Sequence, residues 1–246
     1  MAGACFGYSP ATPIIMHPTP LSSRLFVSGV LLLLFTACAT TPEAPEVTAE
    51  GLTKVAHSRA DLVYVRSGVS FAGYKKVMLF EPTIAFRKHW QTDIQMETPA
   101  RPVTDADMAK MIAMGKKLLI EAFNRELTKA GYTLVLEPGP DVLAVRPAIM
   151  DLDVYAPDPN KELLTSFNKT YTDGAGSATL AIELYDSVTS QLLARAYDQR
   201  SGEDNSRSWG VQRNQQTNIQ DASFAMSEWA RMFVKGLERA KEAKAP

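Results

Sequence analysis

The chain of 246 residues carries 26 Lys and Arg against 27 Asp and Glu, a formal charge of -1, and 46% of its residues are hydrophobic. That hydrophobic content suffices for a packed core and excludes global disorder, while near-neutrality removes the usual electrostatic basis for nucleic-acid binding.

In chain order, the first feature is an address. Arg24 to Cys38 is one positive charge followed by an apolar run that ends in small residues and a cysteine, the layout of a cleaved secretory signal. Its apolar stretch of about a dozen residues is shorter than the roughly 20 needed to cross a bilayer as a helix. A start at Met16 gives the signal a conventional length, whereas Met1 adds a long, nearly uncharged stretch holding Cys5. Phe35-Thr36-Ala37-Cys38 resembles the lipobox of bacterial lipoproteins, with Phe35 where Leu is usual. The resemblance implies cleavage before Cys38 and attachment of diacylglycerol to its sulfur. Ala39 follows where Asp would signal inner-membrane retention, so the implied location is the outer membrane, facing the periplasm. Two or three acyl chains on one residue make a permanent anchor, because each buried CH₂ contributes about 0.8 kcal/mol. Cys5 is lost with the signal and Cys38 is consumed by the lipid. The folded domain then has no disulfide, thiolate nucleophile or Cys-ligated zinc.

Ala39 to Glu50, rich in Pro, Thr, Ala and Glu, has no apolar period, so residues 38–50 are expected to form the lipidated Cys and a flexible tether, with a single periplasmic domain over 51–246. Tyr74 to Pro82 reads as a central strand closed by proline, and Thr83 to Val103 as a long irregular segment. Thr104 and Asp107 have capping-box spacing before Met108, Met111, Ile112, Gly115, Leu118, Leu119, Ala122, Phe123 and Leu127, which form one helical face that Gly131 terminates.

Tyr132 to Leu136 returns as a strand, and Pro138 to Asp141 is a tight turn. Val142 to Tyr155 follows as another strand, where Pro147 predicts an edge position or a bulge. Beyond that proline, Ala148, Met150, Leu152 and Val154 are expected on one face and Asp151, Asp153 and Tyr155 on a wet one. Ala178, Leu180, Ile182 and Leu184 alternate with more polar neighbours as a half-buried strand, Asp186 to Ser190 is a turn, and Gln191 to Gln199 is the antiparallel partner. Arg200 to Gln216 reads as a polar loop. A last helix is expected from a Thr217/Gln220 capping box, with Ala222, Met226, Trp229, Phe233 and Leu237 on one side. The order predicts an α+β fold: one twisted mixed, mostly antiparallel sheet with two long helices packed on one face.

Three sets of residues carry a family resemblance: Tyr64 to Gly68 with Gly73 to Leu79, Pro138 to Leu143 with Asp151 to Asp153, and Gly176 to Leu180 with Glu183 to Ser187. Together they resemble domain-of-unknown-function family 3313. The resemblance implies a bacterial lipoprotein and transfers no catalytic residue.

The residues themselves suggest little chemistry. Beyond the signal, His57 and His89 are far apart and in no metal-ligand or triad-like pattern, and no serine sits in a G-x-S-x-G elbow. Neither a cofactor nor a metal site is expected. Asp151 and Asp153, with Asp158 beyond, could pair carboxylates for a periplasmic hydrolase, or could be the acids that discourage sheet-to-sheet pairing. Arg87, His89 and Trp90 form a basic-aromatic cluster, and Trp209 stands in a polar stretch. Each is a candidate partner contact, or a tryptophan packed on the core beside solvated charges. The leading expectation is a non-enzymatic binding or scaffold lipoprotein. Its partners would be the membrane through the lipid on Cys38, and an envelope protein, peptidoglycan or small envelope ligand.

Overall fold

In the computed structural model the described residues are 43–97, 99, 102–157, 171–172, 174–202 and 210–242. Met16, the signal, Cys38, Asp158 and Trp209 lie outside them. Strands β1 (Leu52–Lys54), β2 (Leu62–Arg66), β3 (Lys76–Leu79) and β4 (Thr83–Phe86) lead to helices α1 (Trp90–Glu97) and α2 (Asp105–Lys129). Then come β5 (Thr133–Leu134), β6 (Val142–Val154), β7 (Tyr171–Thr172), β8 (Gly176–Asp186), β9 (Leu192–Ser201), β10 (Val211–Gln212) and α3 (Gln215–Glu242). The main sheet runs β1-β2-β9-β8-β6-β3-β5, with β4 also on β6, and β7 pairs β10 in a separate ribbon. Pairs among β1, β2, β9, β8 and β6 are antiparallel, whereas β3 and β4 join β6 in parallel, as does β5 its neighbour β3. The fold is therefore α+β on one mixed sheet.

Helix α2 starts as the sequence predicts: the Asp107 N–H donates to Thr104 Oγ1 at 3.2 Å, and the Thr104 N–H donates to Asp107 Oδ2 at 3.1 Å. The Thr104 hydroxyl, which donates to Asp107 Oδ2 at 2.6 Å, and then the Thr104 N–H hold the Asp107 carboxyl below its usual range. Past its end, Gly131 takes the left-handed φ of +88 that a helix terminus favours. Leu119, Phe123 and Leu127 are fully buried, and truncating such a side chain costs about 2–5 kcal/mol. They pack with Met226, Trp229, Ala230 and Leu237 of α3 and with Leu180, Ile182 and Leu184 of β8 in one core, so both long helices cover the same sheet face. Gly115 lies beside Met226, Glu126 beside Arg231 and Tyr132 beside Glu238. The numbers rise in step, so the helices run in the same direction.

Several expectations need correction. Thr83 to Val103 is not irregular: it holds β4 and α1, whose Trp90 and Ile94 form a satellite core with Val103. Pro147 lies inside a central strand rather than at an edge. The Phe80 N–H donates to Val145 O at 2.9 Å, and by strand alternation the N-H-less edge of Pro147 faces the same side. There β3 has ended opposite Val145 and β4 has not begun until Ala148, so no ladder bond is lost. The bulge is at Asp151, where φ is +51 and the β6–β8 register shifts. Before it Leu143, Val145 and Ile149 face the core, in place of Ala148 and Met150, and after it Leu152 packs there. A Cβ on Gly176 would sit 2.0 Å from Asp153 O, so the strand beside the bulge admits only glycine at that point.

Helix α3 begins earlier than Thr217. Asn214 and Thr217 exchange backbone-to-side-chain bonds of 2.9 and 3.0 Å, and the preceding segment holds β10. The compact unit also begins at Ala44, earlier than expected. Tyr64 Oη donates to Pro45 O, Arg66 Nη2 to Glu50 O, and Arg195 pairs with Glu50, so residues 45–50 close over Leu52 and Tyr64.

Candidate functional site

Parallel helices over one sheet face leave a wedge between their N-terminal halves and the strand ends beneath. A cavity of about 860 Å³ lies there. Met111, Met114 and Leu118 of α2, Ala222, Ala225 and Met226 of α3, and Ile149 and Leu152 of β6 are among the apolar residues of its wall. The volume falls within the roughly 300–1,000 Å³ of small-molecule sites, and methionine walls adapt to irregular apolar guests.

The polar group at its floor is Asp198. β9 turns Ala194, Ala196 and Asp198 toward the helices, opposite Leu184, Ile182 and Leu180. The carboxylate is only 7% exposed; its Oδ2 accepts from Trp229 Nε1 at 2.8 Å and from Arg200 Nε at 3.0 Å. The Arg200 guanidinium also lies 5.8 Å from the Trp229 ring centroid. An acid this enclosed needs both partners, because a buried unpaired charge is expensive. Farther out, buried Arg213 donates to Thr172 Oγ1 at 2.8 Å, to Thr172 O at 3.0 Å and to Asp221 Oδ2 at 2.5 Å, fastening the β7–β10 ribbon to α3. Lys110, Asp107, Asp153 and Asp221 also border the cavity, and each is ion-paired: Lys110 with Asp107, Asp153 with Arg87, Asp221 with Arg213. The walls therefore present apolar surface and neutralised charge.

The residues singled out from the sequence fall elsewhere. Arg87 donates to Asp153 Oδ2 at 2.7 Å and binds Asp93, tying β6 to α1, and these carboxylates, Asp93 foremost, raise its pKa. Trp90 is 1% exposed, stacks on Phe86 at 4.3 Å, and donates from Nε1 to Val154 O at 3.2 Å. His89, at φ +63, is exposed. Trp90 thus belongs to the satellite core, Arg87 is taken up by two carboxylates beside it, and His89 does not join them on one face. Asp151 points to solvent from the bulge while Asp153 is held by Arg87, so these two carboxylates form no acid-base pair. Among the described residues no group of three His, Cys, Asp or Glu side chains is placed to hold a metal ion. No described helix is long and apolar enough to cross a membrane.

Asp198, Arg200 and Arg213 were not candidates from the sequence. The available signal was an acid at an inward position of β9, directly after two inward alanines. Arg213 lies in the polar stretch from Arg200 to Gln216, where no apolar period marks it.

Comparison with known proteins gives one assignment. The model of a family described as protein of unknown function (DUF3313) matches residues 47–233. No curated protein matches the chain. Solved structures similar to it include the PelC dodecamer from Paraburkholderia phytofirmans (13% identity, 69% of this chain and 96% of that one, TM-score 0.34). Another is protein XCC0632 from Xanthomonas campestris, of family DUF330 (9% identity, 72% and 91%, TM-score 0.38). A third is a neuraminyllactose-binding hemagglutinin homolog from Helicobacter pylori (14% identity, 72% and 95%, TM-score 0.34).

Proposed function

We propose that this chain, which belongs to the DUF3313 family of proteins of unknown function, is a non-enzymatic binding lipoprotein of the outer membrane that holds a small apolar envelope ligand between α2, α3 and the sheet. The cavity of about 860 Å³ carries the reading. Its apolar walls favour an uncharged body, since a charged one would lose hydration without gaining a free counter-charge. Asp198 and Arg200 at the floor offer hydrogen bonds to a polar end. The anchor is Cys38, supported by the charged and apolar run before it and by Phe35-Thr36-Ala37. The acyl chains keep the domain at the periplasmic face, where apolar envelope molecules are concentrated.

The test uses the full chain purified from membranes and N-phenyl-1-naphthylamine, an uncharged apolar dye that brightens out of water. Ala225→Phe fills the cavity from α3. Saturable brightening with the wild type that Ala225→Phe removes, at unchanged melting temperature, supports the reading. Equal brightening by both proteins refutes it.

A further inference from the structure

A second cavity, of about 480 Å³, lies on the same sheet face but on the other flank of α3. Val63, Val65 and Phe71 face Met232, Phe233 and Leu237 across it, and the β1–β2 connection, from Val55 to Ala60, forms its outer wall. Gly236 borders the space, and a Cβ placed there meets nothing within 4 Å. Room is left where any other residue would have begun to fill it.

The charges around this cavity are not balanced. Arg195 is matched by Glu183 and Glu50, and Asp198 by Arg200 and Trp229. Arg59 and Arg239 are exposed at the wall and have no ion pair among the described residues; Arg239 Nε donates only to Lys235 O. An apolar interior behind two unmatched guanidinium groups fits an amphiphile with an anionic head.

The entry of the chain into the fold points to the source of that amphiphile. The Lys54 N–H donates to Glu46 O, and the Val55 N–H to Val63 O. Followed backward from Glu46, the chain therefore runs toward the β1–β2 connection, on the sheet face that Tyr64 occupies and opposite the cavity, and the compact unit begins there at Ala44. From Cys38 to Ala44 six residues reach at most about 20 Å even fully extended. A lipid on Cys38 would keep the β1–β2 end of the domain, which walls the cavity, within about that distance of the bilayer surface.

We infer that the smaller cavity seats one acyl chain of an anionic phospholipid from the anchoring membrane, with its head group held by Arg59 and Arg239. The proximity step rests on the lipidation of Cys38; the cavity and its charges do not. An acyl chain in a bilayer is already out of water, so its transfer to an apolar cavity is close to neutral. Preference for a lipid must come from the head group, at roughly thirtyfold for two arginines.

Native mass spectrometry of the full chain in micelles, titrated with phosphatidylglycerol or phosphatidylcholine, tests this. One phosphatidylglycerol is expected to be retained per chain, about thirtyfold more tightly than phosphatidylcholine. Arg59→Gln with Arg239→Gln should erase the preference. Gly236→Leu, and independently Ala196→Leu, should abolish retention of both lipids while the far-ultraviolet dichroism stays native. Equal retention of the two lipids by the wild type, undiminished retention in both filled variants, or displacement by inorganic phosphate alone would each overturn the inference. The intact mass in the same spectra reports the acyl groups on Cys38. Their absence would remove the anchor while the lipid selectivity is judged separately.

Discussion

Replacing Trp90 with alanine separates a core role from a docking role. The indole is 1% exposed, stacks on Phe86 at 4.3 Å with the rings 24° apart, and donates to Val154 O at 3.2 Å. Truncating an enclosed tryptophan costs about 3–5 kcal/mol through lost transfer energy and the cavity left behind. The ring stack and the hydrogen bond account for about 1 kcal/mol each within that total. With roughly 2–4 °C of melting temperature per kcal/mol in a domain of this size, a loss of about 4 kcal/mol lowers the midpoint by about 8–16 °C. Trp90→Phe keeps the stack and loses the bond, so its cost is about 1–2 kcal/mol. Thermal unfolding followed by circular dichroism measures both. An alanine variant that melts within about 2 °C of the wild type would show that the indole is not built into the satellite core, and the case for a surface contact would return.

Gly176→Ala places a methyl 2.0 Å from the Asp153 carbonyl and is expected to cost at least about 2 kcal/mol in urea unfolding, whereas Gly73→Ala, with nothing within 4 Å, should stay within about 0.5 kcal/mol. A similar cost for the two would contradict the close approach at the bulge. Burial, and then the hydrogen bond to Asp186, push the Tyr74 phenol from 10.0 up to about 12. Because the folded value is the higher one, its contribution to stability is complete below pH 10 and is lost as pH rises from about 10 to 12. The alkaline loss of melting temperature should therefore be smaller in Tyr74→Phe than in the wild type; an identical loss would exclude the linkage.

Elements whose signals are local and strong were legible in the sequence. The Thr104/Asp107 box, the long apolar face behind it and Gly131 mark α2 without ambiguity, and the alternation from Ala178 to Leu184 marks β8. Helix α1 was invisible because only Trp90 and Ile94 of its eight residues are buried, too few to set a period. β4 is four residues long and half exposed, and a parallel partner leaves no turn signature beside it. Pro147 drew attention as a breaker, yet its missing donor falls where two successive partners change over. Asp151, an ordinary acid in the sequence, takes the bulge. The larger cavity could not be read at all, since its walls come from α2, α3, β6 and the end of β9, brought together only by tertiary packing.

The pairing of β2 with β9 has a kinetic meaning. Leu62 lies opposite Tyr197 and Val65 opposite Ala194, so strands from near the two ends of the domain are neighbours. The β1–β2 hairpin can form early, but alone it is marginal in water and has nothing to lean on until the C-terminal half exists. Closing so long a loop before any contact rewards it makes this a slow step, and mixed sheets with such distant partners fold late and expose their edges meanwhile. A chain emerging from its N-terminus would complete the β8–β9 hairpin first and recruit β2 last. The flank of α3 over β2 and β9 would then be the final region to acquire its shape.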